Sequence, residues 1–288
     1  MSHASRGVAM IFNHEIFNLK DKSKRLGSDK DRDRLKKVLK RLHFDVQTFD
    51  DLTFKELKEE LGKVAAMDHT NNDCLLITFM THGDERSIAS YDRDFPIDLI
   101  TKFFTDTRCP SLKGKPRIFF IQACRGSNID HGLTPKQHQE HLDLIALLKQ
   151  RRIRRRRNVN DRTDAMPDDD DDDDDDSRVS DQMVHNPPIY PDFLMVRSAM
   201  QGFFSFRNTD SGSWFIQELC SELEENGVCD DLLHLLTRVN LRVSKRESRA
   251  VLMNGKKQIL CISSMLTKIL IFNAKNEEDD DNQPIIPY

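Results

Sequence analysis

Short apolar runs recur through the first half of this chain, each separated from the next by a segment of helical periodicity, and few folds accept that pattern. GVAMIF (7–12) reads as a strand. DKDRDRLKKVLKRLHF (29–44) follows, with Leu35, Val38, Leu39 and Leu42 on one helical face. FDVQTF (44–49) alternates like a strand, and Thr53 with Glu56 three residues on forms a capping box. That box opens a helix carrying Phe54, Leu57, Leu61 and Val64 on one side. DCLLITFM (73–80) is another apolar run, PIDLITKFF (96–104) reads as helical, and RIFFIQACRG (117–126) closes the series. Strands spaced by helices in this way predict a mostly parallel α/β sheet, with right-handed crossovers laying helices on both faces.

From about residue 127 to 190 that order is lost. KQRRIRRRR (149–157) precedes nine consecutive aspartates (168–176) and then NPPIYP (186–191). Like-charge runs of this kind cannot bury themselves, so the stretch is expected to be a disordered, charged linker. Its basic part is also compatible with a nuclear import or nucleic-acid patch, masked by the neighbouring aspartates. Strand-like DFLMVRS (192–198) follows, then the loop AMQGFFSFRNTDSGS (199–213) and a helix starting at Trp214. A second helix carries Leu232, Leu233, Leu236 and Val239, and QILCISS (258–264) and TKILIF (267–272) are the last strand-like runs. The expected organisation is one α/β domain interrupted by the linker (127–190), with a first region (1–126) before it, a second (191–275) after it and an acidic tail (276–288).

A net charge of −4 argues against general nucleic-acid binding. No apolar stretch reaches the ~20 residues of a membrane span, and the N-terminus lacks signal-peptide character. The six cysteines have no CxxC spacing and no ligand-spaced His/Cys set, which predicts reduced thiols in the cytoplasm, with nuclear entry left open, and no metal or other cofactor.

Two of the apolar runs stop on reactive groups. RIFFIQACRG ends at Cys124, where a structural cysteine would belong inside the run, and CLLITFMTHGDE ends at His82 followed by Gly83. Parallel strands align their C-terminal ends, so both side chains are expected on one rim of the sheet. There an imidazole takes the thiol proton and later protonates a leaving amine. The unobstructed N–H of Gly83, with that of Cys124, would make an oxyanion hole.

QACRG is a signature of caspases, with the histidine about fifty residues upstream; here it is 42 upstream. Together with GKPRIFFIQACRG, FSFRN, GSWFIQELC, LLTRVN and KKQILCISSMLTK, it makes the chain resemble a caspase catalytic domain of the effector type from about residue 6 to 272. The resemblance implies a three-layer caspase-like α/β sandwich and a cysteine endopeptidase that cuts after aspartate in cell-death signalling. It implies Cys124 as nucleophile, His82 as general base and acid, and Gly83 with Cys124 as oxyanion donors. An aspartate pocket would come from Arg25, Gln122 and Arg207. Phe204, Phe206 and Trp214 would form an aromatic wall for side chains further from the cut, and Asn208 a polar contact beyond it. Activation would follow linker cleavage, with Asp164, Asp176 and Asp181 as candidate sites and Asp164 favoured because Asp161 stands three residues ahead.

The implied partners are protein substrates with exposed aspartates, a second large/small subunit pair in a homodimer joined through QILCISS, an upstream initiator caspase and inhibitor-of-apoptosis proteins. Too little precedes the first strand for a recruitment domain, so adaptor-driven activation is not expected of the chain as given. FSF stands where effector enzymes usually have YSW, THGDER replaces SHGEEG, and the loop SKRESRAVLMNG is short, with Met253 near a usual phenylalanine. Two other readings compete. A metacaspase-like or paracaspase-like enzyme would need an acidic pocket, which Arg25 and Arg207 argue against. A catalytically weak decoy or heterodimer partner would have lost the thiol, the imidazole or a pocket arginine.

Overall fold

The computed structural model of the chain describes residues 1–132, 190–250 and 253–275. Met1–Asp130 and the described residues from Tyr190 onward belong to one compact unit. Strand β1 (Val8–Asn13) leads to helix α1 (Ser28–Arg41), strand β2 (Asp45–Asp50), helix α2 (Phe54–Ala65) and strand β3 (Leu75–Met80). A small ribbon, β4 (Ser87–Ala89) with β5 (Asp94–Pro96), precedes the short helix α3 (Asp98–Thr101), a 3₁₀ turn and strand β6 (Arg117–Gln122). Beyond the linker come β7 (Phe193–Arg197), the hairpin of β8 (Arg207–Asn208) and β9 (Gly212–Ser213), helices α4 (Trp214–Asn226) and α5 (Leu232–Lys245), and β10 (Cys261–Ser264).

The central sheet has the order β10-β7-β6-β3-β1-β2. Every pairing in it is parallel except that of β10 with β7. The alternation of side chains along a strand divides the interior in two. Ala9, Ile11, Leu76, Ile118 and Phe120 face the layer that holds α1, α4 and α5. Met10, Phe12, Leu75, Ile77, Phe79 and Phe119 face the layer of α2 and α3. This is the expected sandwich with helices on both faces. The Thr53–Glu56 capping box is present at the start of α2, with the Glu56 carboxylate accepting the Thr53 amide at 2.9 Å.

One expected element differs. TKILIF forms no strand. Leu270 and Phe272 are buried, but the Leu270 backbone is taken up by α5: its carbonyl accepts the Leu232 amide at 2.8 Å and its amide donates to the Asp231 carboxylate. With those groups satisfied by a helix N-terminus, no sheet partner is needed. PIDLITKFF is helical as expected, from Asp98 to Phe104, as the turn of α3 continued by a 3₁₀ turn. Backbone contact with the sheet domain also runs past residue 126, through bridges of Asn128 to Phe203 and Asp130 to Lys257. The charged runs and the candidate cleavage sites Asp164, Asp176 and Asp181 lie outside the described residues, as does the acidic tail.

Candidate active site

The C-terminal ends of β3 and β6 open onto a cavity of about 710 Å³. His82 follows β3 after Thr81, whose amide donates to Gln122 O at 3.0 Å and whose hydroxyl donates to Ala89 O at 2.7 Å. Those bonds fix the strand end to β6 and to the β4 strand of the small ribbon. The imidazole Nε2 lies 2.7 Å from the carbonyl of Ser23, in the loop after β1, and its ring packs against Phe17 at 4.9 Å. A carbonyl only accepts, so Nε2 carries the proton and Nδ1 is left with its lone pair. Burial, Arg25 and Arg207 push the His82 pKa down while the Ser23 bond pulls it up, and burial dominates, favouring the neutral ring.

Cys124 leaves β6 through Ala123, which is clamped by the Ser198 hydroxyl: that group accepts the Ala123 amide and donates to its carbonyl. The half-buried thiol donates to Ser205 O at 3.8 Å and shares the cavity with His82. Gly83 pairs with Ile88 in an isolated antiparallel bridge whose two bonds run from its neighbours, Ala89 N to His82 O and Asp84 N to Ser87 O. The Gly83 amide therefore carries no ladder bond. A Cβ at this position would lie 2.9 Å from both Cys124 O and Ser87 O, closer than a side chain tolerates.

A second group of side chains in the cavity is cationic. Arg25 is 3% exposed and donates one N–H to His14 O at 2.9 Å. Burial, then the nearby positive charge of Arg207, holds its pKa down to about 9. Arg207 is lowered chiefly by burial, and its buried Nε has no partner. Gln122 donates to Ser205 Oγ at 2.8 Å and leaves its buried Oε1 unpartnered. Two close, desolvated guanidiniums are unfavourable in an empty pocket and suit a bound carboxylate.

Phe206 stacks on Trp214 with ring centres 4.7 Å apart, and Phe204 lines the same cavity. Asn208 also faces it, but its Oδ1 already accepts the Asp210 and Ser211 amides, at 2.8 and 3.0 Å. Arg25, His82, Gln122, Cys124, Phe204, Phe206, Arg207, Asn208 and Trp214 are thus gathered around one space. Several supporting groups were not foreseen. They are the Ser23 and Ser205 carbonyls and Gln258, which accepts the Phe206 amide at 2.6 Å and donates to Ser198 O at 2.8 Å.

The caspase domain family model matches residues 6–271. This chain belongs to the caspase family. Among relatives of the caspase chain, Caspase-1 of Drosophila melanogaster is 38% identical over 279 residues, covering 96% of this chain and 76% of the relative. Caspase-6 of Bos taurus is 38% identical over 284 residues, covering 96% and 87%. The crystal structure of Caspase-1 from Spodoptera frugiperda superposes with a TM-score of 0.77 at 36% identity, over 96% of this chain and 92% of that one. Membership makes this a protein of a cysteine peptidase family, built on the caspase sandwich.

Proposed function

We propose that this protein is an effector-type cysteine endopeptidase that cleaves protein substrates after aspartate in cell-death signalling. The observation that carries the reading is one cavity lined by the Cys124 thiol, the His82 imidazole and the guanidiniums of Arg25 and Arg207. In the proposed reaction His82 Nδ1 takes the Cys124 proton and the thiolate attacks the scissile carbonyl carbon. The Gly83 and Cys124 amides receive the developing oxyanion, and the imidazolium then protonates the departing amine. Water, deprotonated by the same imidazole, hydrolyses the thioester and regenerates the thiol. Arg25 and Arg207 clasp the aspartate carboxylate, each charge-assisted bond contributing about 1.5–3 kcal/mol.

Regulation belongs to the same proposal. Cleavage within the linker at Asp164, Asp176 or Asp181 would produce large and small subunits, and two such pairs would assemble through the edge strand β10. Activity should then depend on these aspartates, and a chain with all three replaced that is fully active would remove the switch. For the central reading, purified protein is treated with a peptide aspartyl fluoromethyl ketone and with its asparaginyl counterpart. Selective alkylation of Cys124 by the aspartyl reagent is expected; equal labelling by both, or none by either, would refute it. A catalytically weak decoy has no observation in its favour, since no thiol, imidazole or pocket arginine is missing.

A further inference from the structure

We propose that Asp31 is the positioning residue of the aspartate pocket, fixing the hairpin that carries Arg207 against the loop that carries Arg25. This rests on the reading of those two arginines as a carboxylate receptor. Asp31 stands in the first turn of α1, into which the Arg25 loop runs, and is 2% exposed. Both of its oxygens accept the amide of Ser213, each at 2.9 Å. Ser213 is the cross-strand partner of Arg207 in the β8–β9 pair, so the residue that Asp31 grips is the one opposite the guanidinium.

The approach is close enough to dictate the neighbouring sequence. Gly212, at φ 91°, passes so near that a Cβ would lie 2.2 Å from Asp31 Oδ1. Gly27, at φ 84°, passes Thr209 equally closely, with its Cβ position 2.4 Å from Thr209 O. Loop and hairpin therefore touch at two glycine contacts, and Asp31 supplies the charged bond between them.

A buried carboxylate is expensive unless something nearby compensates its charge. Among the described residues no cation is ion-paired with Asp31, yet its field reaches both Arg25 and Arg207 and favours their charged forms. Burial in turn lifts the Asp31 pKa to about 6, against the pull of the Ser213 bonds and the two arginines. Position and charge thus act on the same pair of guanidiniums. A residue serving only to pack α1 could be apolar at this point.

The test compares two reagents on Cys124 in the full chain. Iodoacetamide needs the thiol and imidazole only, whereas a peptide aspartyl fluoromethyl ketone also needs the carboxylate pocket. Asp31→Ala is expected to slow the ketone on the order of tenfold, as for a displaced binding group, with iodoacetamide changed less than about twofold. Asp31→Asn keeps one oxygen for the Ser213 amide, so its ratio of the two rates should fall about threefold, between wild type and Asp31→Ala. Equal slowing of both reagents would mean that Asp31 merely holds the fold, and would overturn the proposal. So would unchanged rates with both. Should Asp31→Ala fail to fold, the Asn variant decides: an unchanged ratio overturns the proposal. If wild type takes an asparaginyl ketone as readily as the aspartyl one, the pocket reading itself is wrong and the proposal falls with it. A wild type that discriminates beside an Asp31→Ala that discriminates equally isolates the failure to Asp31.

Discussion

Replacing Arg25 with methionine should weaken the enzyme and strengthen the fold. Arg25 gives one guanidinium N–H to His14 O, leaving its remaining donors for a substrate carboxylate. Losing them while Arg207 stays removes about two charge-assisted bonds, each about 1.5–3 kcal/mol. Part of that loss is offset because the empty pocket no longer confines two like charges, so a net loss of about 3 kcal/mol is reasonable. That is on the order of a hundredfold in kcat/KM for an aspartyl peptide. The opposite sign applies to stability. With burial and Arg207 holding Arg25 down to about 9, the free protein carries this charge unfavourably, and methionine removes that burden while keeping much of the side-chain volume. Replacing buried ionic groups by apolar ones of similar volume is often neutral or stabilising, by about 1–4 kcal/mol. Steady-state kinetics on aspartyl and asparaginyl peptides, with urea denaturation of both proteins, measures the two effects. Undiminished preference for aspartate in Arg25→Met would refute the pocket assignment; lost activity with a lowered urea midpoint would refute the electrostatic reasoning.

Cys124→Ala should abolish turnover and leave the circular dichroism spectrum and subunit association intact, because the half-buried thiol contributes little packing. Measurable residual cleavage after aspartate would assign the nucleophile elsewhere. The active form has neutral His82, whose pKa is lowered by burial first and then by Arg25 and Arg207, so activity should rise with pH through a midpoint below the ordinary histidine range. Arg25→Met removes one of the lowering charges and should move that acid limb upward; an unmoved limb in the pH–kcat/KM profile would exclude His82 as its source. Ile262→Asp places a charge on β10, the edge strand of the sheet, and should yield a monomer of low activity in sedimentation and kinetic assays. A fully active wild-type monomer would dismiss that interface.

The inner strands β1, β3 and β6 were legible because both of their faces are buried at every position, hence continuous apolar runs. Cys124 and His82 were legible for a related reason, as polar groups standing just where such runs stop. The β8–β9 hairpin, with two residues in each strand, is too short to leave a periodic signal. Ser23 and Ser205 act through backbone carbonyls, which every residue type possesses, so no pattern of side chains announces them. Asp31 was hidden differently. In DKDRDR it reads as one more charge on the solvated side of a helix, and it is buried only because a hairpin 182 residues later closes over it.

The long charged linker interrupts a structure whose two sides do not depend on it for their union. Gln122 ends β6 and Phe193 opens β7, yet the strands run side by side in the middle of the sheet, from Arg117 against Phe193 to Ile121 against Arg197. The buried Arg117 reinforces that seam. Its amide donates to Asp192 O, its side chain donates to Pro191 O at 3.0 Å, and its guanidinium lies over the Phe193 ring at 5.0 Å. Phe119 stacks on Phe193 nearly parallel, with ring centres 5.7 Å apart. The cavity is shared in the same way: Arg25, His82, Gln122 and Cys124 come from before the linker, and Phe204, Phe206, Arg207 and Trp214 from after it. Severing the chain between β6 and β7 removes a chain constraint and leaves every contact of this seam in place. A cut chain should therefore remain one particle held by β6, β7 and the two helical layers, and only the loops tethered to the linker gain freedom to rearrange around the pocket.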